Sequence, residues 1–213
     1  MLKNVDHITY ACTAGSIERW AWFHIEVEGG TLINRIDDVR PDDPESSMKI
    51  WCIDFGGFGV ALIEGIDRAK QSQVTKFVDR HGDHSVQHVA FDTDDLEAFQ
   101  AHLKQMGGTP RGETLVRHDG FGVLKQMFAR GYAQGDAAEA CFPEYVQRPR
   151  VDSAESGESD VAITFAEETG KGFYDQIEDA VAAGDDAPFF DFDRMPADWQ
   201  VPPARPRNAL ITH

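Results

Sequence analysis

The chain is poor in basic charge. Among its 213 residues, 20 lysines and arginines stand against 37 aspartates and glutamates, giving a formal net charge of −17. Such a surface repels phosphate backbones and anionic headgroups, which excludes nucleic acids and membrane surfaces as partners. Cysteine is scarce too: Cys12, Cys52 and Cys141 have no Cys-x-x-Cys spacing, and any one pairing leaves a thiol over. That excludes a disulfide framework and fits a reducing compartment. No run approaches the roughly 20 apolar residues of a membrane helix. The opening Met1-Leu2-Lys3-Asn4 leads straight into a strand-like run, so the chain is expected to be soluble and cytoplasmic. There is no glycine-rich phosphate loop and no Gly-x-Ser-x-Gly elbow, which removes two common catalytic classes.

What the chain does have is a repeat. Val5-Asp6-His7-Ile8-Thr9-Tyr10 and Ser85-Val86-Gln87-His88-Val89-Ala90-Phe91 each set one histidine in an apolar, strand-like run. Each is followed by an amphipathic segment that ends in a glycine pair, Gly29-Gly30 and Gly107-Gly108. With 41% hydrophobic residues, the chain can bury one core shared by two small modules. The expected architecture is α+β: two βαβββ modules, about 5–64 and 85–148, forming one curved sheet in a domain spanning 1–150.

Within the first module, Ser16 can cap a helix bearing Ile17, Trp20 and Phe23, and residues 48–54 and 59–64 read as a hairpin around Gly56-Gly57. Residues 72–80 read as a helix bridging the copies. In the second module, Asp94 and Glu97 form a capping box for a helix bearing Leu96, Phe99, Leu103 and Met106. Residues 115–117, 123–128 and 140–146 supply its remaining strands. Residues 151–213 form a separate, acidic segment. Ser153 to Ser159 reads as a mobile loop, residues 173–183 as a helix stopped by Gly184, and Phe189, Phe190, Phe192 and Trp199 as an aromatic arm packed on the body or on a second subunit, the one hint of a homodimer.

A strand-borne histidine facing a shared concavity is half of a metal site, and a twofold repeat brings two halves together. The third ligand is then Glu144, in the strand-like run Cys141-Phe142-Pro143-Glu144-Tyr145-Val146. Two imidazoles and one carboxylate, with other positions left to water or substrate, suit a non-haem Fe(II) oxygenase. A lone histidine in such a run is more often a hydrogen-bonded core residue; the repeat and the glutamate favour ligands here. His24, His81, His102 and His118 lack partners at metal spacing and read as surface residues.

Four ordered motifs resemble the catalytic half of the 4-hydroxyphenylpyruvate dioxygenase family, in the vicinal-oxygen-chelate superfamily. They are Val5-Asp6-His7-Ile8; Lys70-Gln71-Ser72-Gln73-Val74 with Val86-Gln87-His88-Val89-Ala90; Val123-Leu124-Lys125-Gln126-Met127-Phe128 with Phe142-Pro143-Glu144-Tyr145-Val146-Gln147-Arg148; and Gly170-Lys171-Gly172-Phe173. Together they cover most of residues 5–180. The resemblance implies the vicinal-oxygen-chelate fold closed by a C-terminal gating helix, and Fe(II) held by His7, His88 and Glu144. It implies a 2-oxo acid and O2 as substrates, with decarboxylation. It makes Gln126 a hydrogen-bonding residue on the substrate side and Phe128 and Phe173 aromatic walls around an aromatic or bulky apolar group.

The chain also departs from that family. The protein is expected to lack the companion domain that precedes the family's catalytic half, the interval from His88 to Glu144 is short, and Ile63-Glu64-Gly65 stands where the family has Asn-Glu-Pro. Glu64 lies 57 residues after His7, close to the 56 that separate His88 from Glu144. If it reaches the metal, the site has four protein ligands, which favours Zn(II) or Ni(II) and glyoxalase-type lyase or isomerase chemistry. A third reading is a non-catalytic protein that binds a small molecule.

Overall fold

The structure, a computed structural model, describes residues 1–119, 122–152, 159–161, 167–187 and 189. Eight strands form one curled, mixed sheet in the order β2-β3-β4-β1-β5-β8-β7-β6. The first module supplies β1 (Leu2–Cys12), α1 (Ile17–Trp22) continued by a π-helical turn (Phe23–Val27), β2 (Thr31–Ile36), β3 (Ser46–Asp54) and β4 (Gly59–Asp67). After α2 (Gln73–His81), the second supplies β5 (Ser85–Thr93), α3 (Leu96–Met106), β6 (Leu115–Asp119), β7 (Gly122–Phe128) and β8 (Phe142–Gln147). A short pair, β9 (Arg150–Asp152) and β10 (Ser159–Val161), precedes α4 (Glu167–Ala182).

The strand order reads the same from either edge. In each module the first strand runs parallel to the last, β1 to β4 and β5 to β8, and the modules join by antiparallel pairing of β1 with β5. The histidine-bearing strands therefore lie side by side at the centre of the sheet. Period-two alternation divides the core between the two faces of the sheet. Ala11, Ile50, Ala61, Ile63, Phe128 and Phe142 pack on the concave side with α2 and α4. Leu62, Ile53 and Val60 pack under α1, and Met127 and Tyr145 under α3, on the other side.

Two expected caps are realised differently. Asp95, not Asp94, caps α3: its carboxylate accepts from the Ala98 N–H at 2.9 Å, so Glu97 falls one place short of a capping box and Asp94 pairs with Lys3. Ser16 stands at the cap position of α1, but its hydroxyl donates to Asp83, and the Ile17 N–H is satisfied by Glu64 at 3.0 Å. β2 is a strand that hydrophobic alternation did not mark. Phe189 packs on Leu96, Phe99 and Tyr145, as expected of the aromatic arm. Its companions Phe190, Phe192 and Trp199, and all but the last residue of the Ser153 to Ser159 loop, lie outside the described residues.

No helix among the described residues is long and apolar enough to cross a membrane.

Candidate metal centre

His7 on β1, His88 on β5 and Glu144 on β8 converge on the concave face, each nearly inaccessible to solvent. One donor atom of each lies within 4.8 Å of the other two. Glu144 Oε2 is 3.3 Å from His7 Nε2 and 3.2 Å from His88 Nε2. Both Nε2 atoms face the same point because both Nδ1 atoms are engaged behind. His7 Nδ1 donates to Asp6 Oδ1 at 2.7 Å, and His88 Nδ1 donates to Gln87 Oε1 at 3.2 Å. Such outer partners fix the tautomer and ring direction of a ligating histidine.

Asp6 is itself held by Arg148, whose guanidinium donates to both carboxylate oxygens. Burial opposes the charged form of Asp6, but the His7 and Arg148 hydrogen bonds prevail and hold its carboxyl well below the usual range. Burial likewise opposes a charged His7, yet the adjacent Glu144 carboxylate and Asp6 push it up to about 9. Glu144, where burial favours the neutral acid, is brought down to about 2 by the two imidazoles. Burial lowers His88, which remains neutral and accepts from the Thr9 hydroxyl at 2.9 Å. The centre therefore carries one proton, on His7, paired with the Glu144 carboxylate.

These residues fit a metal ion. A cation can replace the His7 proton between two imidazole nitrogens and one carboxylate oxygen, and the buried donors give a divalent metal the charge it needs. Gln126 Nε2 donates to Glu144 Oε1 at 2.7 Å, fixing which carboxylate oxygen faces the imidazoles. Gln126 Oε1 is buried without a partner at the cavity wall, an acceptor left for a donor that enters. The cavity around the three side chains encloses about 20 Å3, room for roughly one water, and is lined also by Thr9, Ile50, Ala61, Ile63, Phe128, Gly170 and Phe173. Gly170 lets α4 lie against the sheet: a Cβ there would meet Val39 and Ile50 at 3.3 and 3.4 Å.

Glu64 does not belong to this site. Its carboxylate lies on the opposite face of β4, where it accepts from Lys49 Nζ at 2.6 Å and from the Ile17 N–H. Counting residues from each histidine misled because strand register, not sequence interval, sets the equivalence. His88 pairs with Phe142, which puts Glu144 opposite Ala90; His7 pairs with Gly59, which puts Ala61 opposite Thr9. The residue matching Glu144 is therefore Ala61, three positions before Glu64, and an odd offset reverses the face.

Gln126, Phe128 and Phe173 line the cavity together. The two phenylalanines, expected to flank a substrate ring, contact one another, with centroids 5.0 Å apart. His24, expected on the surface, is buried: its Nδ1 bonds to Glu28 at 2.6 Å and its Nε2 to His84 Nε2 at 2.9 Å. His81 and His102 are exposed, and the His118 side chain lies outside the described residues. Sequence reasoning missed Asp6, Thr9, Gln87 and Arg148 as supports. Thr9 and Arg148 carried a signal, since each follows a ligand by an even number of residues along its strand direction.

No family model matches the chain, and no curated protein matches it. Solved structures do. A triple-substituted 4-hydroxymandelate synthase from Streptomyces coelicolor aligns at TM-score 0.67 and 19% identity, covering 84% of this chain and 54% of that one. The chain thus spans about half the length of that structure. A hypothetical protein from Bacillus halodurans aligns at TM-score 0.50 and 19% identity, covering 72% of this chain and 98% of that one. The fold is the vicinal-oxygen-chelate fold.

Proposed function

We propose that the protein is a non-haem Fe(II)-dependent dioxygenase that oxidises a 2-oxo acid with O2 and decarboxylation. The observation that carries this reading is the buried His7, His88 and Glu144 set with an alanine, not a fourth donor, at the position related to Glu144. Three protein donors would leave a bound metal with open positions for the oxo acid and for O2. Four protein donors would suit Zn(II) or Ni(II) isomerase chemistry, and the orientation of Glu64 argues against that arrangement. The order of the four sequence motifs supports the same reading.

A divalent metal held by His7, His88 and Glu144 would supply Lewis-acid binding of the acid and redox chemistry with O2. The chain's own groups hold the geometry and exclude water. Asp6 and Gln87 keep both Nε2 atoms aimed inward, and Gln126 holds Glu144 Oε1 while offering its own Oε1 to a substrate donor. Phe128, Phe142 and Phe173 close the space behind His88, with Phe142 stacked on its ring at 4.9 Å. In the net reaction the acid's carboxylate leaves as CO2. One oxygen atom completes the new carboxylate and the other enters the shortened acid as hydroxyl. All four electrons that O2 takes come from the substrate.

The test is O2 uptake by protein purified without oxygen and reconstituted with Fe(II), run with a panel of 2-oxo acids. Consumption of O2 with equimolar CO2 release, abolished in His88→Ala, is expected. Stoichiometric binding of Zn(II) or Ni(II) without O2 uptake for any oxo acid would overturn the reading.

A further inference from the structure

Arg111, in the loop between α3 and β6, is a buried cation that the ligand set does not account for. It is only 5% exposed. Its backbone N–H donates to the Phe128 carbonyl at 2.7 Å and its Nε to the Ala129 carbonyl at 3.4 Å, which fixes the residue at the end of β7. Nη1 is buried with no partner, and among the described residues no carboxylate forms an ion pair with the guanidinium. Burial lowers its pKa, yet a guanidinium stays protonated at any working pH. Asp185 and Arg130 act on it from nearby in opposite directions, and those two are paired with each other at 3.0 Å. A charge buried in this way weakens a fold, and an apolar residue of similar volume would strengthen it.

What the guanidinium does face is the aromatic support of the metal centre. Its Cζ lies over the Phe142 ring, 5.8 Å from the centroid, inside the roughly 6 Å reach of a cation–π contact. Phe142 in turn stacks on the His88 ring at 4.9 Å and 20°. Two contacts in series bring the cation within about 11 Å of the His88 ring, along a path of buried side chains. Across such a path, two unit charges about 12 Å apart at an effective dielectric of about 20 change an equilibrium constant roughly tenfold. The other cation behind the ligands, Arg148, is spent on clasping Asp6. Arg111 adds a positive charge that no carboxylate offsets.

We propose that Arg111, touching neither metal nor substrate, biases an iron ion at this centre toward the ferrous state by its charge. This rests on the dioxygenase reading, in which the resting ion is Fe(II). In unproductive oxidation, Fe(II) gives one electron to dissolved O2, which leaves as superoxide, and the ion becomes Fe(III). Its charge rises by one unit in that step, and Arg111 opposes the rise by repulsion. Phe142 keeps the guanidinium off the ligand set while holding it in the same water-poor interior.

Spectroelectrochemical titration of the iron-loaded protein, without O2 or any oxo acid, tests this. Arg111→Met and Arg111→Gln both remove the charge but differ in polarity and shape. Each is expected to favour Fe(III) about tenfold, which at 59 mV per decade is a fall in midpoint potential of about 60 mV. Both Co(II)-substituted variants are expected to keep the wild-type spectrum, because His7, His88 and Glu144 are untouched. A wild-type potential in either folded variant overturns the inference and leaves the dioxygenase reading standing. So does a fall accompanied by an altered Co(II) spectrum, which would trace the effect to packing, and so does the failure of both variants to fold, which would make the guanidinium structural. Wild-type protein that binds no iron, or whose iron has no reversible Fe(III)/Fe(II) couple, overturns both.

Discussion

Ala61 and Glu144 occupy related positions in the two halves of the sheet, each two residues beyond the partner of a histidine across a parallel pair of strands. One half contributes a carboxylate to the centre and the other a methyl group. Ala61→Glu is therefore expected to add a fourth donor, tighten Zn(II) or Ni(II) binding by about tenfold, and block 2-oxo acid binding by filling the vacated position. Competition titration against a chromogenic chelator checks the first effect and calorimetry the second. Unchanged metal affinity in a folded variant would mean that Ala61 does not face the metal.

Glu64 should behave as a structural residue. Glu64→Gln keeps an acceptor for the Ile17 N–H but loses the ion pair with Lys49, which is partly exposed. The expected cost is about 1–3 kcal/mol by urea unfolding, with metal affinity within about twofold of wild type. A large fall in affinity would restore it to the ligand set.

Metal binding should release a proton. At neutral pH that proton sits on His7, which is pushed up to about 9 mainly because the Glu144 and Asp6 carboxylates outweigh the effect of burial. Affinity is then expected to rise about tenfold per pH unit from 6.5 towards 9 and to flatten above. The metal-free protein shows the converse. His7 is raised above its ordinary 6.5, so its stabilising contribution is complete below that pH and is lost as pH climbs through about 9. Glu144 is lowered from 4.5, so its contribution is complete above 4.5 and is lost as pH falls through about 2. Thermal melting of chelated and loaded protein between pH 6 and 9.5, compared side by side, measures the metal-linked proton release and the His7 contribution; melting of the chelated protein below pH 4.5 measures that of Glu144.

Asp6→Asn tests the support behind His7. The amide can still accept from Nδ1, but it withdraws the charge that raises the basicity of the ring and breaks the two-oxygen clasp of Arg148. Outer partners of this kind are worth about 10–100-fold in metal affinity. The loss should appear with His7 still bound, visible as retained imidazole coordination in the spectrum of the Co(II)-substituted protein.

The repeat and the convergence of both histidines with Glu144 were legible in the sequence because each rests on local pattern: an apolar run, a glycine-terminated amphipathic segment, and one carboxylate in a strand. What was illegible depends on register and on side-chain packing. Glu64 and Ala61 differ by three positions, and nothing in the composition of the strand says which of them sits opposite Thr9. Phe128 and Phe173 line the cavity, but whether two rings flank a guest or touch each other is decided by how far α4 descends on Val39 and Ile50. His24 was misread because its partner, His84, precedes β5 by a turn whose backbone cannot be inferred from spacing.

That turn gives the last prediction. His84 has a φ of +58°, the only non-glycine residue with positive φ among those described, and its ring is stacked between Trp20 at 3.8 Å and Tyr10 at 4.2 Å. Burial, and then the neighbouring His24, bring it down to about 4, while the charges of Asp83 and Glu28 pull the other way without prevailing. A histidine held neutral in this way stabilises the fold fully above its ordinary 6.5, and that contribution is lost as pH falls towards about 4. The stacking of the turn on α1 and β1, and its hydrogen bond to His24 in the π-helical turn, should therefore weaken in mild acid. His84→Asn keeps a residue that tolerates the left-handed backbone but does not titrate. The variant is expected to be less stable than wild type at pH 7.5 and to show a shallower fall in urea stability from pH 6.5 to 4.5. Parallel acid limbs in the two proteins would show that the His84 ring carries no such burden.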